Sequence, residues 1–156
     1  MPNQNLARDL NIRSIILADD DRDDHDFFRD ALSQIHPGIK LTTVENGEEL
    51  LSLLTHYIPD FIFLDLDMPG KNGLECLTEI KNNEKLKRIP VVIFSSTSRP
   101  ANIDTAYEMG ADLFFIKPSN YNDLVSSIGA IFRLDWSEPG VVKEKYFIND
   151  RFVAFL

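Results

Sequence analysis

Residues 61–70, FIFLDLDMPG, run four apolar side chains into Asp65, Leu66 and Asp67 before a Met-Pro-Gly turn. An ionised carboxylate inside a dry core is prohibitively costly unless it is paired or binds metal, so Asp65 is expected at the exposed end of a strand. The segment SIILADDDRDD, residues 14–24, repeats the pattern, with an apolar run entering Asp19, Asp20 and Asp21. An ordinary explanation exists in both places. Asp65 or Asp67 can cap the following helix, and acids in a first helical turn favour the dipole by about 0.3–1 kcal/mol each. That accounts well for Asp23 and Asp24. It accounts less well for Asp19 and Asp20, which directly continue the apolar run.

If the two strands are neighbours, Asp19, Asp20 and Asp65 converge, and unit charges about 4 Å apart repel by roughly 4 kcal/mol at an effective dielectric near 20. Something cationic must offset this. A hard divalent ion does so, and Mg²⁺ is commonly held by one or two carboxylates, waters and a phosphoryl group. Lys117 in FFIKP offers a fixed positive charge, and Ser95 in VVIFSS a hydroxyl. Each is ordinary alone; their shared place after an apolar run carries the weight.

Positioning these groups requires strands, and the chain has five apolar runs of strand length: residues 15–17, 39–44, 61–64, 91–94 and 113–116. Amphipathic stretches separate them, as in Phe27, Phe28, Ala31, Leu32 and Ile35, and a last one carries Leu124, Val125, Ile128, Ile131 and Phe132. Strand and helix alternate five times, which implies parallel strands, right-handed crossovers and helices on both faces of one sheet. In such sheets ligands bind beyond the carboxyl ends of the strands. Asn46-Gly47, Pro69-Gly70, Gly110 and Asn120 fall where turns and helix caps are needed.

The 156 residues suit one compact domain plus a tail, and the net charge of −9 argues against adhesion to nucleic acid or an anionic membrane. Residues 133–156 are neutral, with Arg133, Lys143, Lys145 and Arg151 against Asp135, Glu138, Glu144 and Asp150, so the acid excess accompanies the candidate site. Cys76, the single cysteine, excludes an internal disulfide and reads as a core thiol. His25, His36 and His56 are scattered, as surface or packing residues are. With no apolar signal core in residues 1–14 and no membrane-length segment, a soluble cytoplasmic protein is expected.

Over roughly residues 12–132 the sequence resembles the receiver domain of two-component response regulators, through ILADD, FLDLDMPGKNG, PVVIFSS and GADLFFIKP in that order. The resemblance implies a flavodoxin-like, doubly wound α/β fold whose five-stranded parallel sheet has the order 2-1-3-4-5. It implies Asp65 as phosphoacceptor, with Asp19, Asp20, Asp65 and the backbone carbonyl of Asp67 holding Mg²⁺. Ser95 corresponds to the switch hydroxyl, Lys117 to the lysine that pairs with the phosphoryl group, and Phe114 to the switch aromatic. The implied partners are a sensor histidine kinase or histidine phosphotransfer protein, a downstream protein target and a second copy of the chain. Direct nucleic-acid and membrane contacts are not expected, nor is enzymatic activity beyond its own phosphorylation and slow dephosphorylation. The Lys117-Pro118 bond is expected to be cis, on the resemblance and because a tight turn would aim the lysine into the site. Phe114 lacks the hydroxyl of the family's common tyrosine, and Asp67 adds a carboxylate two positions after the acceptor.

A different class shares the DLD pattern: haloacid-dehalogenase-type phosphatases also use an aspartyl phosphate and Mg²⁺. There the motif ends the first core strand, whereas here a strand-helix-strand-helix precedes it, and no cap domain is present in the sequence. A degenerate receiver acting only as a scaffold is disfavoured because every polar role is filled. Residues 133–156 are too short for an output domain and too aromatic for a linker. They are expected to fold against the receiver or a second copy as a hairpin, with KYFI and RFVAFL flanking Asn149-Asp150.

Overall fold

The computed structural model describes residues 12–155. Most of the segment examined for a signal core, residues 1–11, and Leu156 at the end of the expected second hairpin arm lie outside them. The apolar runs form β1 (Ser14–Ala18), β2 (Lys40–Val44), β3 (Phe61–Leu64), β4 (Val91–Ser95) and β5 (Leu113–Ile116). Between and after them lie α1 (Arg22–Ile35), α2 (Gly47–Leu54), α3 (Gly73–Lys81), α4 (Pro100–Glu108) and α5 (Tyr121–Phe132). All five strands are parallel, in the order β2-β1-β3-β4-β5.

Alternation along the strands divides the core between the two sheet faces. Ile16, Ile62, Leu64, Ile93 and Phe114 pack against Leu50 of α2, Cys76 and Leu77 of α3, and Tyr107 of α4. Ile15, Leu17, Phe63, Val92 and Phe115 pack against Phe28 and Leu32 of α1 and Leu124 and Ile128 of α5. Both faces are covered, which is why β3 reads as an unbroken apolar run. Asn46 and Asn120 cap α2 and α5 by accepting the Glu49 and Asp123 backbone N–H groups. Gly110 stands just past α4 with φ of 114°.

A buried ion pair sits at the amino end of the sheet. Lys81 Nζ lies 2.7 Å from Asp112 Oδ2 and also donates to the carbonyls of Lys87 and Ile89, while Asp112 Oδ2 accepts the Val91 N–H at 2.8 Å.

Beyond α5, Trp136 donates its ring N–H to the Ile131 carbonyl and sets its ring edge-on to Phe61, with centroids 5.0 Å apart. The Pro-Gly break then starts a helix that the sequence reading did not anticipate. Gly140, at φ of 88°, leads into α6 (Val141–Lys145), whose Val142 is buried. A hairpin follows, β6 (Phe147–Ile148) against β7 (Arg151–Phe152), around Asn149 and Asp150 at φ of 53° and 63°. These positive angles suit a type I′ turn. The arms are shorter than expected because Lys145 closes α6. Phe152 stacks on Tyr107 with centroids 4.7 Å apart, and Tyr107 donates its hydroxyl to the Val153 carbonyl and accepts the Phe114 N–H. The Phe155 N–H donates to the Phe114 carbonyl at 2.7 Å and the Ile116 N–H to the Phe155 carbonyl at 3.4 Å, a parallel bridge on the outer edge of β5. Among the described residues no helix is long and apolar enough to cross a membrane.

Candidate functional site

Strand register brings the acids together. β1 and β3 are neighbours with Ala18 opposite Leu64, and the Asp65 N–H donates to the Ala18 carbonyl at 2.9 Å, so Asp19 and Asp65 leave adjacent strand ends. The Lys117 N–H donates to the Ser95 carbonyl at 2.8 Å, which carries the lysine past the end of β5 toward the same edge. One carboxylate oxygen from each of Asp19, Asp20 and Asp65 lies within 4.8 Å of the others.

Asp19 is fully buried. Its Oδ1 accepts the Asp21 N–H at 2.9 Å, and its carbonyl lies 2.6 Å from the buried His25 Nε2, which must carry the proton because a carbonyl only accepts. Its Oδ2 accepts no hydrogen bond, although the Lys117 ammonium is 2.9 Å away. A buried carboxylate with an oxygen that accepts no hydrogen bond, in a group that converges with two further carboxylates, fits a hard cation. Asp20 is exposed.

Asp65 lies at the strand end as expected, but it is buried rather than exposed, at 5 % of its accessible surface. The reason is its pairing: Oδ2 is 3.1 Å from Lys117 Nζ and Oδ1 accepts the Asp67 N–H at 3.1 Å. Asp67 itself is exposed. The loop after Asp65 is braced by α3, whose N-cap Asn72 and third residue Glu75 form a reciprocal capping box. Gly73 sits so close that a Cβ there would lie 2.3 Å from the Asp65 carbonyl oxygen, which only glycine avoids.

Lys117 Nζ meets three carboxylates: Asp24 at 2.7 Å, Asp19 at 2.9 Å and Asp65 at 3.1 Å. Asp24, on the first turn of α1, is the site residue that sequence reasoning missed, since a favourable helix dipole already accounted for it. Burial pushes the Asp19 carboxyl up to about 7, against the lowering effects of the Asp21 N–H and Lys117. Burial acts to lower Lys117, but its hydrogen bond to Asp24 and its close pairing with the Asp19 and Asp65 carboxylates outweigh it, so the ammonium is held above the usual lysine value.

The Lys117-Pro118 bond is trans, contrary to expectation, for no cis bond occurs among the described residues. Trans is the intrinsically preferred form, and the long lysine side chain already reaches all three carboxylates from it. Ser95 is buried at the end of β4, where its hydroxyl accepts the Thr97 N–H at 3.3 Å, and Phe114 lies wholly within the core. Neither side chain hydrogen-bonds to the acidic cluster. His25 is a packing residue, as expected, and burial pushes the Cys76 thiol up to about 11.

The family profile of the response regulator receiver domain matches residues 15–129. Among similar proteins, transcriptional regulatory protein CpxR of Escherichia coli K12 is 32% identical over 128 residues, 81% of this chain and 53% of that protein. The nitrate/nitrite response regulator protein NarL of the same strain is 34% identical over 110 residues, 68% of this chain and 50% of NarL. The chain thus spans about half the length of these relatives. Among solved structures, the phosphorylated cyanobacterial phytochrome response regulator RcpA aligns with a TM-score of 0.71 at 30% identity, covering 77% of this chain and 91% of RcpA. The Mn²⁺-bound response regulator Rcp1 aligns at 0.68 and 29% identity, covering 76% and 91%. The comparisons give no support to the phosphatase alternative.

Proposed function

The chain belongs to the response regulator receiver domain family of two-component systems, and from that premise we propose that it accepts a phosphoryl group on Asp65 and switches a protein-binding surface. The convergence of Asp19, Asp20 and Asp65 with Lys117 carries this reading. An Asp65 oxygen attacks the phosphorus of a phosphohistidine on a sensor kinase or phosphotransfer protein. An O–P bond forms, the P–N bond breaks, and the electron pair stays on the histidine nitrogen, which takes up a proton. Asp19, Asp20, Asp65 and the backbone carbonyl of Asp67 would hold Mg²⁺, a choice supported by the unsatisfied Asp19 oxygen and by the Mn²⁺ bound in Rcp1. When bound, the ion supplies positive charge for the phosphoryl oxygens.

Lys117 pairs with the phosphoryl group, and the Ser95 hydroxyl, whose oxygen accepts the Thr97 N–H, turns its own O–H to donate to a phosphoryl oxygen. Displacement at Ser95 is felt along β4 and β5 and so at Phe114, Tyr107 and the tail that covers them. In this role the protein works in the cytoplasm, between a histidine kinase and a downstream protein. The transcriptional role in the name of CpxR belongs to a longer protein, of which this chain matches 53%.

The test is Mg²⁺-dependent labelling with acetyl phosphate or a phosphorylated kinase. Wild-type protein is expected to gain the mass of one phosphoryl group in an acid-stable, base-labile linkage, and Asp65→Asn none. The same modification on the variant sinks the assignment, and rapid multiple turnover of phosphorylated metabolites would instead indicate a phosphatase.

The raised Asp19 value adds a pH signature. Its folded value of about 7 lies above the ordinary 3.8, so its contribution to stability is full below 3.8 and is lost as pH rises through 7 in the metal-free protein. Mg²⁺ must then displace a proton at about pH 6 but not at about pH 8.5. Calorimetric titration in two buffers of different ionisation enthalpy should report nearly one proton released per ion at the lower pH and almost none at the higher. Equal release at both is the contrary result.

A further inference from the structure

Lys117 has three N–H donors and three carboxylate partners, and those partners are not equivalent. Under the function proposed above, Asp19 and Asp65 both acquire other work, holding a divalent cation and accepting a phosphoryl group. Asp24 acquires none. It stands outside the cluster of Asp19, Asp20 and Asp65 whose oxygens converge, yet it makes the shortest contact to the ammonium, 2.7 Å from Oδ2. It is also fixed from a different element. Asp24 belongs to the first turn of α1, whose N-cap Asp21 accepts the Asp23 N–H and whose His25 donates to the Asp19 carbonyl.

We propose that Asp24 is a positioning residue for Lys117: it retains the ammonium at the site while Asp19 and Asp65 exchange the lysine for a cation and a phosphoryl group. Without it the charge would be shared between Asp19 and Asp65 alone. The ammonium would then compete directly with the divalent ion for the oxygens that must bind it. The packing of Phe94 beneath the lysine, with Nζ 5.2 Å from the ring centroid, steers the chain but offers no hydrogen bond that could replace a carboxylate.

This inference rests on the proposed roles of Asp19, Asp65 and Lys117, and its readout is metal affinity of the unphosphorylated protein. Mn²⁺ binding is measured by calorimetry for wild type, Asp24→Asn, Lys117→Met and the double variant, with circular dichroism confirming each fold. Asp24→Asn is expected to weaken Mn²⁺ binding by about tenfold in the wild-type background, as loss of a group supporting a ligand shell does. In the Lys117→Met background the same substitution should cost less than about twofold. Asp24→Glu, which keeps the charge, should stay nearer to wild type than to Asp24→Asn. An equal loss in both backgrounds overturns the proposal, because the Asp24 charge would then act on the ion directly rather than through Lys117. No loss in either background overturns it as well, as does an Asp24→Glu variant that binds no better than Asp24→Asn.

A second readout follows the lysine itself. The Lys117 side-chain nitrogen–proton correlation, recorded with Mg²⁺ and beryllofluoride, should persist in wild type and be lost in Asp24→Asn. Persistence in both contradicts the proposal. If wild-type Asp65 takes no phosphoryl group, the phosphoacceptor reading fails, whereas the Mn²⁺ cycle still reports whether Asp24 acts through Lys117.

Discussion

Asp112→Ala is expected to lower unfolding stability by about 3–5 kcal/mol, the range found when one partner of a buried ion pair is removed. The carboxylate and ammonium side chains are only 12 % and 15 % exposed, so solvent screens little of the charge left behind. Lys81 would keep the Lys87 and Ile89 carbonyls but no counter-charge, and the Val91 N–H at the start of β4 would lose its acceptor. Urea titration and thermal melting measure the loss, about 2–4 °C in Tm per kcal/mol for a chain of this size. Lys81→Met with Asp112→Leu should cost less than Asp112→Ala alone, since it leaves no stranded charge. A single variant as stable as wild type would show that the pair contributes nothing. Because the pair lies at the opposite end of the sheet from Asp65, labelling of the folded variant should be unchanged.

Removing residues 146–156 is expected to cost about 2–4 kcal/mol and to lower Tm by roughly 5–10 °C. Phe152 and Phe155 are each partly buried, the first stacked on Tyr107 and the second edge-on to Phe115 with centroids 5.8 Å apart. Ordering the hairpin offsets part of this gain, and such a hairpin is marginal alone, so its stability must come from the surface beneath it. Truncation also takes the Val153 carbonyl from Tyr107 and the Phe155 carbonyl from the Ile116 N–H. Amide hydrogen exchange should therefore accelerate at Ile116 beyond the global change. Unaltered melting together with unaltered protection at Ile116 would show that the tail does not hold to the sheet.

Much of the fold was legible because strands buried on both faces need no alternation, and FIFL, VVIF and LFFI have none. The acidic cluster was legible for a related reason. Carboxylates that interrupt such runs mark the strand ends, and parallel order puts those ends on one edge. Asp24 was not legible: its partner lies 93 residues away, and a helix N-terminus already welcomes an acid. The burial of Asp65 was missed because it depends on where the Lys117 ammonium reaches, which spacing alone does not reveal. The Asn149-Asp150 turn was visible in residue types that tolerate positive φ, whereas α6 was hidden by a Pro-Gly pair that reads equally as a break or as a helix start. Asp112, quoted within GADLFFIKP, carried no sign that it would meet Lys81.

An open sheet edge is a template on which another chain can add a strand. Here the outward backbone groups of β5 at Phe114 and Ile116 are already taken by Phe155. The remaining outer strand is β2, which carries the exposed Lys40 and the threonines Thr42 and Thr43, a charged and polar border of the kind that discourages unwanted pairing. The two borders are thus protected by different means, one by side-chain character and the other by occupation. Loss of Phe155 from its place would expose an aromatic, β-prone LFFI edge to intermolecular addition, so the tail also guards the protein against self-association through its sheet.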